Sequence, residues 1–207
     1  MSYLEIASHY DKCLAMYGDT HRGLDWPNEQ DMYKRYQIML DLVRGDTGGN
    51  KVSLLDFGCG TSGLYQYMVD HEVEKIEYAG LDISKNFIGI STNKFPGNRY
   101  FCLDVLSDHC DLPLFDYVIF NGVFTIKKTL SFDEMFNFMT SVLIRITQKT
   151  TIGFAFNVMS KQVDWERGDL FHLPLDILSS FLTKSISRNF VIRNDYGLYE
   201  YTVYVYP

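Results

Sequence analysis

The sequence predicts a three-layer α/β sandwich built on a mostly parallel sheet. Three observations predict it. Strand-like and helix-like runs alternate from Val52 onward, the first strand-like run ends in a glycine-rich turn, and the last two strand-like runs stand too close together for a helical crossover. The 207 residues suit one domain with one sizeable core, in which residues 1–50 form a helical cap and residues 51–207 the core itself.

The elements follow in order. NEQDMYKRYQIMLDLVR is helical: Asn28 caps it, Asp31 lies in its first turn, and Met32, Tyr36, Met39, Leu40 and Val43 share one face. Gly45 supplies a stop, and GDTGGN over Gly45 to Asn50 separates this segment from the rest. VSLLDF is a short apolar run of the kind buried on both faces in a parallel sheet. GLYQYMVDH is a helix, IEYAGLD the second strand, and Ser84 caps the helix that follows it. RYFCLDV is the third strand and FDYVIFNG the fourth. SFDEMFNFMTSVLIRITQ opens with a capping box, Ser131 and Glu134, and carries a long apolar stripe. TTIGFAFNV is the fifth strand, and LPLDILSSFLTKS is a helix with Pro174 in its first turn. RNFVIRNDYGLYEYTVYVYP turns at Tyr196–Leu198 and forms an antiparallel hairpin.

Composition narrows the function. A net charge of −7 disfavours a nucleic-acid surface, which needs basic patches. No apolar run is long enough for a transmembrane helix, and the N-terminus lacks the basic stretch and apolar core of a signal peptide. The four cysteines, Cys13, Cys59, Cys102 and Cys110, share no CxxC spacing and read as reduced thiols of a cytoplasmic protein. The five histidines are scattered and form no HExxH or His/Cys cluster, so no structural metal is expected.

The chemistry gathers at DFGCGTSG. Gly58, Gly60 and Gly63 allow a ligand to lie against the backbone, and the next helix points its N-terminus at that ligand. The GxGxxG spacing also occurs in nicotinamide sites. Asp56, however, would repel a pyrophosphate and suits a cationic cofactor with an α-amino group and a sulfonium. Asp82 ends the second strand, where a carboxylate can accept from ribose hydroxyls; Asp104 ends the third, where it can accept from an adenine amino group beside Val105. A dehydrogenase of this fold would need a Tyr-x-x-x-Lys or a substrate domain, and neither is evident.

VSLLDFGCGTSGL, YAGLDIS, RYFCLDVL and FDYVIFNGVF resemble the successive motifs of class I S-adenosylmethionine-dependent methyltransferases. The resemblance implies a seven-stranded sheet of order 3-2-1-4-5-7-6, its last inserted strand antiparallel. It also implies S-adenosylmethionine as cofactor. Asp56, Gly58, Cys59 and Gly60 would line its methionine part, Asp82 would bind ribose with Ile83 near the adenine, Asp104 and Val105 would border the adenine, and Asn121 and Gly122 would lie under the sulfur. NGVF stands where DNA-adenine and protein-glutamine methyltransferases have [DN]PP[YF], which counts against an amide or exocyclic amine as acceptor.

The acceptor is expected to be a small molecule methylated at oxygen by in-line displacement, such as a sugar, phosphate or carboxylate. A looser resemblance, carried by RGLDWPNEQDMYKRYQIML and VDWERGDLF, links the chain to bacterial methyltransferases that modify sugars or surface polysaccharides. Two segments can cover the cofactor and bind the acceptor. The N-terminal one offers His9, Tyr10, Tyr17, His21, Arg22 and Trp26; the loop after the fifth strand offers Trp165, Arg167 and His172; Tyr196 and Tyr199 can reach the edge from the hairpin. Arginines beside tryptophans suit a flat or anionic acceptor. His21 and His172 are the candidate bases, though a carboxylate or phosphate acceptor needs none. Methylation of tRNA or protein, and a non-catalytic cofactor-binding protein of the same fold, stand as alternatives. No motif encodes the oligomeric state.

Overall fold

The computed structural model describes residues 3–43, 51–108 and 110–207. The GDTGGN turn and the Gly45 stop lie outside these residues. The elements run α1 (Leu4–Tyr17), α2 (Glu29–Leu40), β1 (Val52–Phe57), α3 (Gly63–Asp70), β2 (Ile76–Asp82), α4 (Lys85–Lys94), β3 (Arg99–Cys102), β4 (Phe115–Phe120), α5 (Phe132–Thr147), β5 (Thr150–Ser160), β6 (His172–Leu173), α6 (Leu175–Ser185), β7 (Phe190–Arg193) and β8 (Glu200–Val205).

The sheet order is β3-β2-β1-β4-β5-β8-β7, with β6 as a two-residue parallel addition to β5. This is the expected order with one short strand inserted into the count. β8 lies antiparallel between β5 and β7, as the short turn at Gly197 requires. Successive side chains of a strand point to opposite faces, so each central strand feeds two cores. Leu55, Phe57, Val118 and Phe120 pack with Met135, Met139 and Leu143 of α5 and with Leu178 and Leu182 of α6. Leu54, Tyr117 and Ile119 pack with Met32, Tyr36 and Met39 of α2 and with Leu64 and Met68 of α3.

The caps form as the sequence predicts. Asn28 accepts from the Gln30 and Asp31 amides, Ser84 from those of Asn86 and Phe87, and Ser131 with Glu134 makes the reciprocal capping box. Several boundaries differ: β5 runs on to Ser160, and Pro174 stands at the N-cap of α6 and not in its first turn. α2 ends at Leu40, ahead of the glycine, and β3 and β4 end at Cys102 and Phe120, two or three residues short of the expected strands. Asp104, Val105, Asn121 and Gly122 therefore sit on loops beyond the strand ends.

Candidate active site

Strand order reverses between β1 and β4, and in open α/β sheets a crevice opens there at the carboxyl ends of the strands. The glycine loop is hooked across it. The Gly58 and Cys59 amides donate to the Leu81 carbonyl at 2.7 and 3.0 Å, and the Gly60 amide donates to Asp82 Oδ2 at 3.1 Å. Gly58 and Gly60 hold φ values of +74° and +54°, which suit glycine.

A cavity fills the crevice. Asp56, Gly58, Cys59, Gly60, Asp82, Ile83, Asp104, Val105, Asn121 and Gly122 all line it. Of the cofactor residues expected from the sequence, Gly63 alone does not. A Cβ there would strike the hydroxyl of Tyr36, so this glycine lets α2 pack closely against α3 and does not admit a ligand.

The electrostatics of the cavity favour a cation. Asp56 is buried and accepts from the Tyr78 hydroxyl at 2.9 Å; burial pushes its carboxyl up to about 7, with nearby Asp82 adding to the rise. Burial likewise raises Asp82 to about 6, against the pull of the Ser84 and Gly60 amides. Two carboxylates that are costly to ionise alone are well placed to receive a positive charge. Asn121 also lines the cavity, and its buried Oδ1 has no hydrogen-bond partner among the described residues, although buried polar atoms are nearly always satisfied. Phe87, Leu103 and Val105 supply apolar surface for a flat group. The donor set thus fits a ligand with a cationic end, ribose-type hydroxyls and an aromatic base. Asp104 is partly committed: it accepts from the Tyr3 hydroxyl at 2.5 Å and the Leu106 amide at 2.9 Å.

The N-terminal cap expected from the sequence reaches the crevice through residues that no motif marks, Tyr3, Ile6 and Ala7. Residues 4–17 form a helix, and Ile6, Ala7 and Tyr10 of α1 line the cavity with Tyr3. Polar bonds fix α1 over the crevice: Ser84 Oγ donates to Asp11 at 2.6 Å and Thr129 Oγ1 to Glu5 at 2.7 Å.

A second cavity of about 550 Å³ adjoins the first, a size usual for small-molecule sites. Tyr10, Tyr17, Arg22, Trp26, Trp165, Arg167 and His172 line it, as does Tyr199. Tyr10, Leu24 and Trp26 line both cavities, forming the partition between them. The indole of Trp26 rests on Gly122, where an added Cβ would come within 2.6 Å of the ring, and Gly122 holds φ +82°.

Below this partition lies a buried polar network. Arg35 donates from Nε and Nη2 to Glu200 at 2.8–2.9 Å and stacks on Trp26 at 4.4 Å. Asn157 donates to Glu200 at 2.9 Å and accepts from the Gly122 amide at 2.7 Å. The network ties the end of β4 to α2 and β8.

Two expected acceptor-side residues do not line the second cavity, and a third lines it with its ring engaged. Tyr196 is buried, with its hydroxyl 2.9 Å from Thr202 Oγ1, and does not reach the second cavity. His21 lies on a third, shallower cleft that shares Tyr17 and Arg22 with the second cavity, and it does not line that cavity itself. His172 borders the cavity, but both ring nitrogens are engaged: Nδ1 donates to the Ser160 carbonyl at 2.6 Å and Nε2 accepts from the Arg167 amide at 3.3 Å. It secures the loop rather than offering a free base. No helix among the described residues is long and apolar enough to cross a membrane.

Comparison with known proteins agrees with this geometry. A family model described as a methyltransferase domain matches residues 55–141, the span from β1 into α5. Rv1506c of Mycobacterium tuberculosis, provisionally named a methyltransferase, is 25% identical over 158 residues, covering 74% of this chain and 92% of that protein. Magnesium protoporphyrin IX methyltransferase of Synechocystis PCC 6803, with S-adenosylmethionine bound, is 14% identical with a TM-score of 0.63, over 100% of this chain and 97% of that one. An S-adenosylmethionine-dependent methyltransferase of Leishmania major reaches a TM-score of 0.69 at 11% identity, over 99% and 82% of the two chains. The structural likenesses carry the fold; the domain match and the acid-lined glycine crevice carry the chemistry. Together these findings support an S-adenosylmethionine-dependent methyltransferase, with a fold similar to that of the class I enzymes.

Proposed function

We propose that this enzyme methylates an oxygen of a small-molecule acceptor held in the second cavity. The observation that carries the reading is the shared partition, Tyr10, Leu24 and Trp26, which brings an acceptor within reach of the cofactor crevice. S-adenosylmethionine supplies a methyl group already activated on a sulfonium. The protein is left to align, to exclude water and to balance charge. In this reading Asp56 offsets the cationic methionine part, Gly58, Cys59 and Gly60 lie along it, and Asp82 accepts from the ribose. Ile83, Asp104 and Val105 border the adenine, and Asn121 and Gly122 underlie the methyl donor.

Tyr17, Arg22, Trp26, Trp165 and Arg167 would grip the acceptor. Cationic groups among aromatic rings support a sugar, phosphate or carboxylate oxygen. An anionic oxygen needs no general base, consistent with the engaged nitrogens of His172. Residues 1–50 act as the cap and 51–207 as the cofactor-binding core, in a cytoplasmic setting where Cys13, Cys59, Cys102 and Cys110 stay out of disulfides.

Calorimetric titration of S-adenosylhomocysteine and, separately, NAD tests the cofactor side, repeated with Asp82→Ala and the milder Asp82→Asn. Binding of the first alone, weakened in both variants, is expected. Transfer of labelled methyl to sugars, phosphates and carboxylates then tests the acceptor. Transfer only to RNA or peptide, or to no acceptor, overturns the small-molecule reading while leaving the cofactor result intact.

A further inference from the structure

Among the described residues, one place gathers three metal-ligating side chains of different chemistry, and the methyl-transfer site makes no use of it. His9 and Cys13 stand four residues apart on α1 and so share a helix face. Asp25 reaches them from the turn between α1 and α2. That turn is held by the Leu24, Asp25 and Trp26 amides, which donate to the Thr20, Arg22 and His21 carbonyls, and Asp25 sits in the left-handed region at φ +58°. The ligand atoms of all three residues lie within 4.8 Å of one another.

The geometry separates a metal site from its rivals. His9 Nε2 lies 2.7 Å from Asp25 Oδ2 and 3.6 Å from Cys13 Sγ. Carboxylate and thiol converge on the same ring nitrogen. A Cys-His-Asp nucleophile relay needs them on opposite nitrogens, so this is no relay. A plain His–Asp ion pair would account for His9 and Asp25 alone, whereas three donor atoms converge here.

We propose that His9, Cys13 and Asp25 form a Zn²⁺ site with an open fourth position, beside the second cavity. With Zn–S about 2.3 Å and Zn–N about 2.0–2.1 Å, a tetrahedral ion sets S···N at about 3.6 Å and N···O at about 3.3 Å. The first matches the separation found. The second requires the Asp25 carboxylate to withdraw by about 0.6 Å, a small side-chain rotation for a half-exposed residue. Three protein ligands with nitrogen, sulfur and oxygen donors make the set of an open zinc site, not a closed structural one. Asp25 itself borders the second cavity, so the fourth position stands next to where an acceptor binds.

The test is spectroscopic and independent of methyl transfer. Full-length protein, stripped with chelator and dialysed, is titrated with Co²⁺. One equivalent should produce a saturable near-ultraviolet thiolate-to-cobalt band with visible bands of tetrahedral coordination, both displaced by Zn²⁺. Cys13→Ser should abolish the thiolate band and His9→Gln should weaken binding at least tenfold, with far-ultraviolet circular dichroism confirming that both variants fold. Absence of the band in the wild type, or its persistence in Cys13→Ser, overturns the proposal.

Discussion

Replacing Arg35 with Met should strand a buried carboxylate. Glu200 is 1% exposed and Arg35 12%, so neither end of their bidentate pair is much relieved by solvent. Removing the cation leaves Glu200 with the Asn157 amide at 2.9 Å and a long contact of 3.5 Å to the Tyr196 hydroxyl. Breaking a buried pair from one side costs about 3–5 kcal/mol, because the remaining charge is uncompensated. For a chain of this size each kcal/mol shifts Tm by about 2–4 °C, so a drop of about 6–20 °C is expected. Thermal melting of the wild type, Arg35→Met, and the double variant Arg35→Met with Glu200→Gln measures it. The double variant should regain a large part of the loss, since a neutral amide can still accept from Asn157. A loss below about 1 kcal/mol in the single variant, or no recovery in the double, refutes the view that Arg35 neutralises Glu200. The function of the network is read in parallel. Asn157 holds the Gly122 amide, so Arg35→Met should also weaken S-adenosylhomocysteine binding more than its effect on folding explains.

Other outcomes follow from the same geometry. Gly122→Ala forces a side chain into the left-handed region and against Trp26; a loss of about 1–2 kcal/mol from the backbone alone is expected, with altered Trp26 fluorescence read in a Trp165→Phe background. Unchanged stability and emission would show that the indole does not rest there. Trp165 is 71% exposed, so Trp165→Ala should change stability by less than about 0.5 kcal/mol while raising the acceptor KM; a large stability loss would place it in the core instead. Asp56 and Asp82, raised to about 7 and about 6, bind protons more tightly folded than unfolded. Their contribution to ligand-free stability is fully present below pH about 4 and is lost as pH rises through 6 to 7. Affinity for the cationic cofactor runs the opposite way and should fall as pH drops from 8 to 5. Calorimetry that shows a flat profile would mean that neither acid meets the positive charge.

The sequence by itself determined the core of this protein. Its alternating runs fixed the class, the Asn28, Ser84 and Ser131 caps fixed three helix starts, and strand-end positions identified Asp56, Asp82 and Asn121. Such features are local: a cap, a strand and the turn after it are written in consecutive residues, and the sheet then brings successive strand ends to one crevice. Tertiary structure alone decided the rest. Arg35 and Glu200 are 165 residues apart, and no local pattern pairs them. Gly63 carries the right spacing for a ligand loop but serves Tyr36, because what a glycine admits depends on which element packs over it. A helical cap was legible in residues 1–50, but α1 buries only Ile6 and Leu14 within its span, too narrow a stripe to show that Tyr3, Ile6 and Ala7 would line the crevice. His9 and Cys13 were visibly four apart on the chain. Their third partner, Asp25, joined them only when the turn at residues 20–26 folded back, since convergence of side chains is a property of the folded backbone and not of spacing.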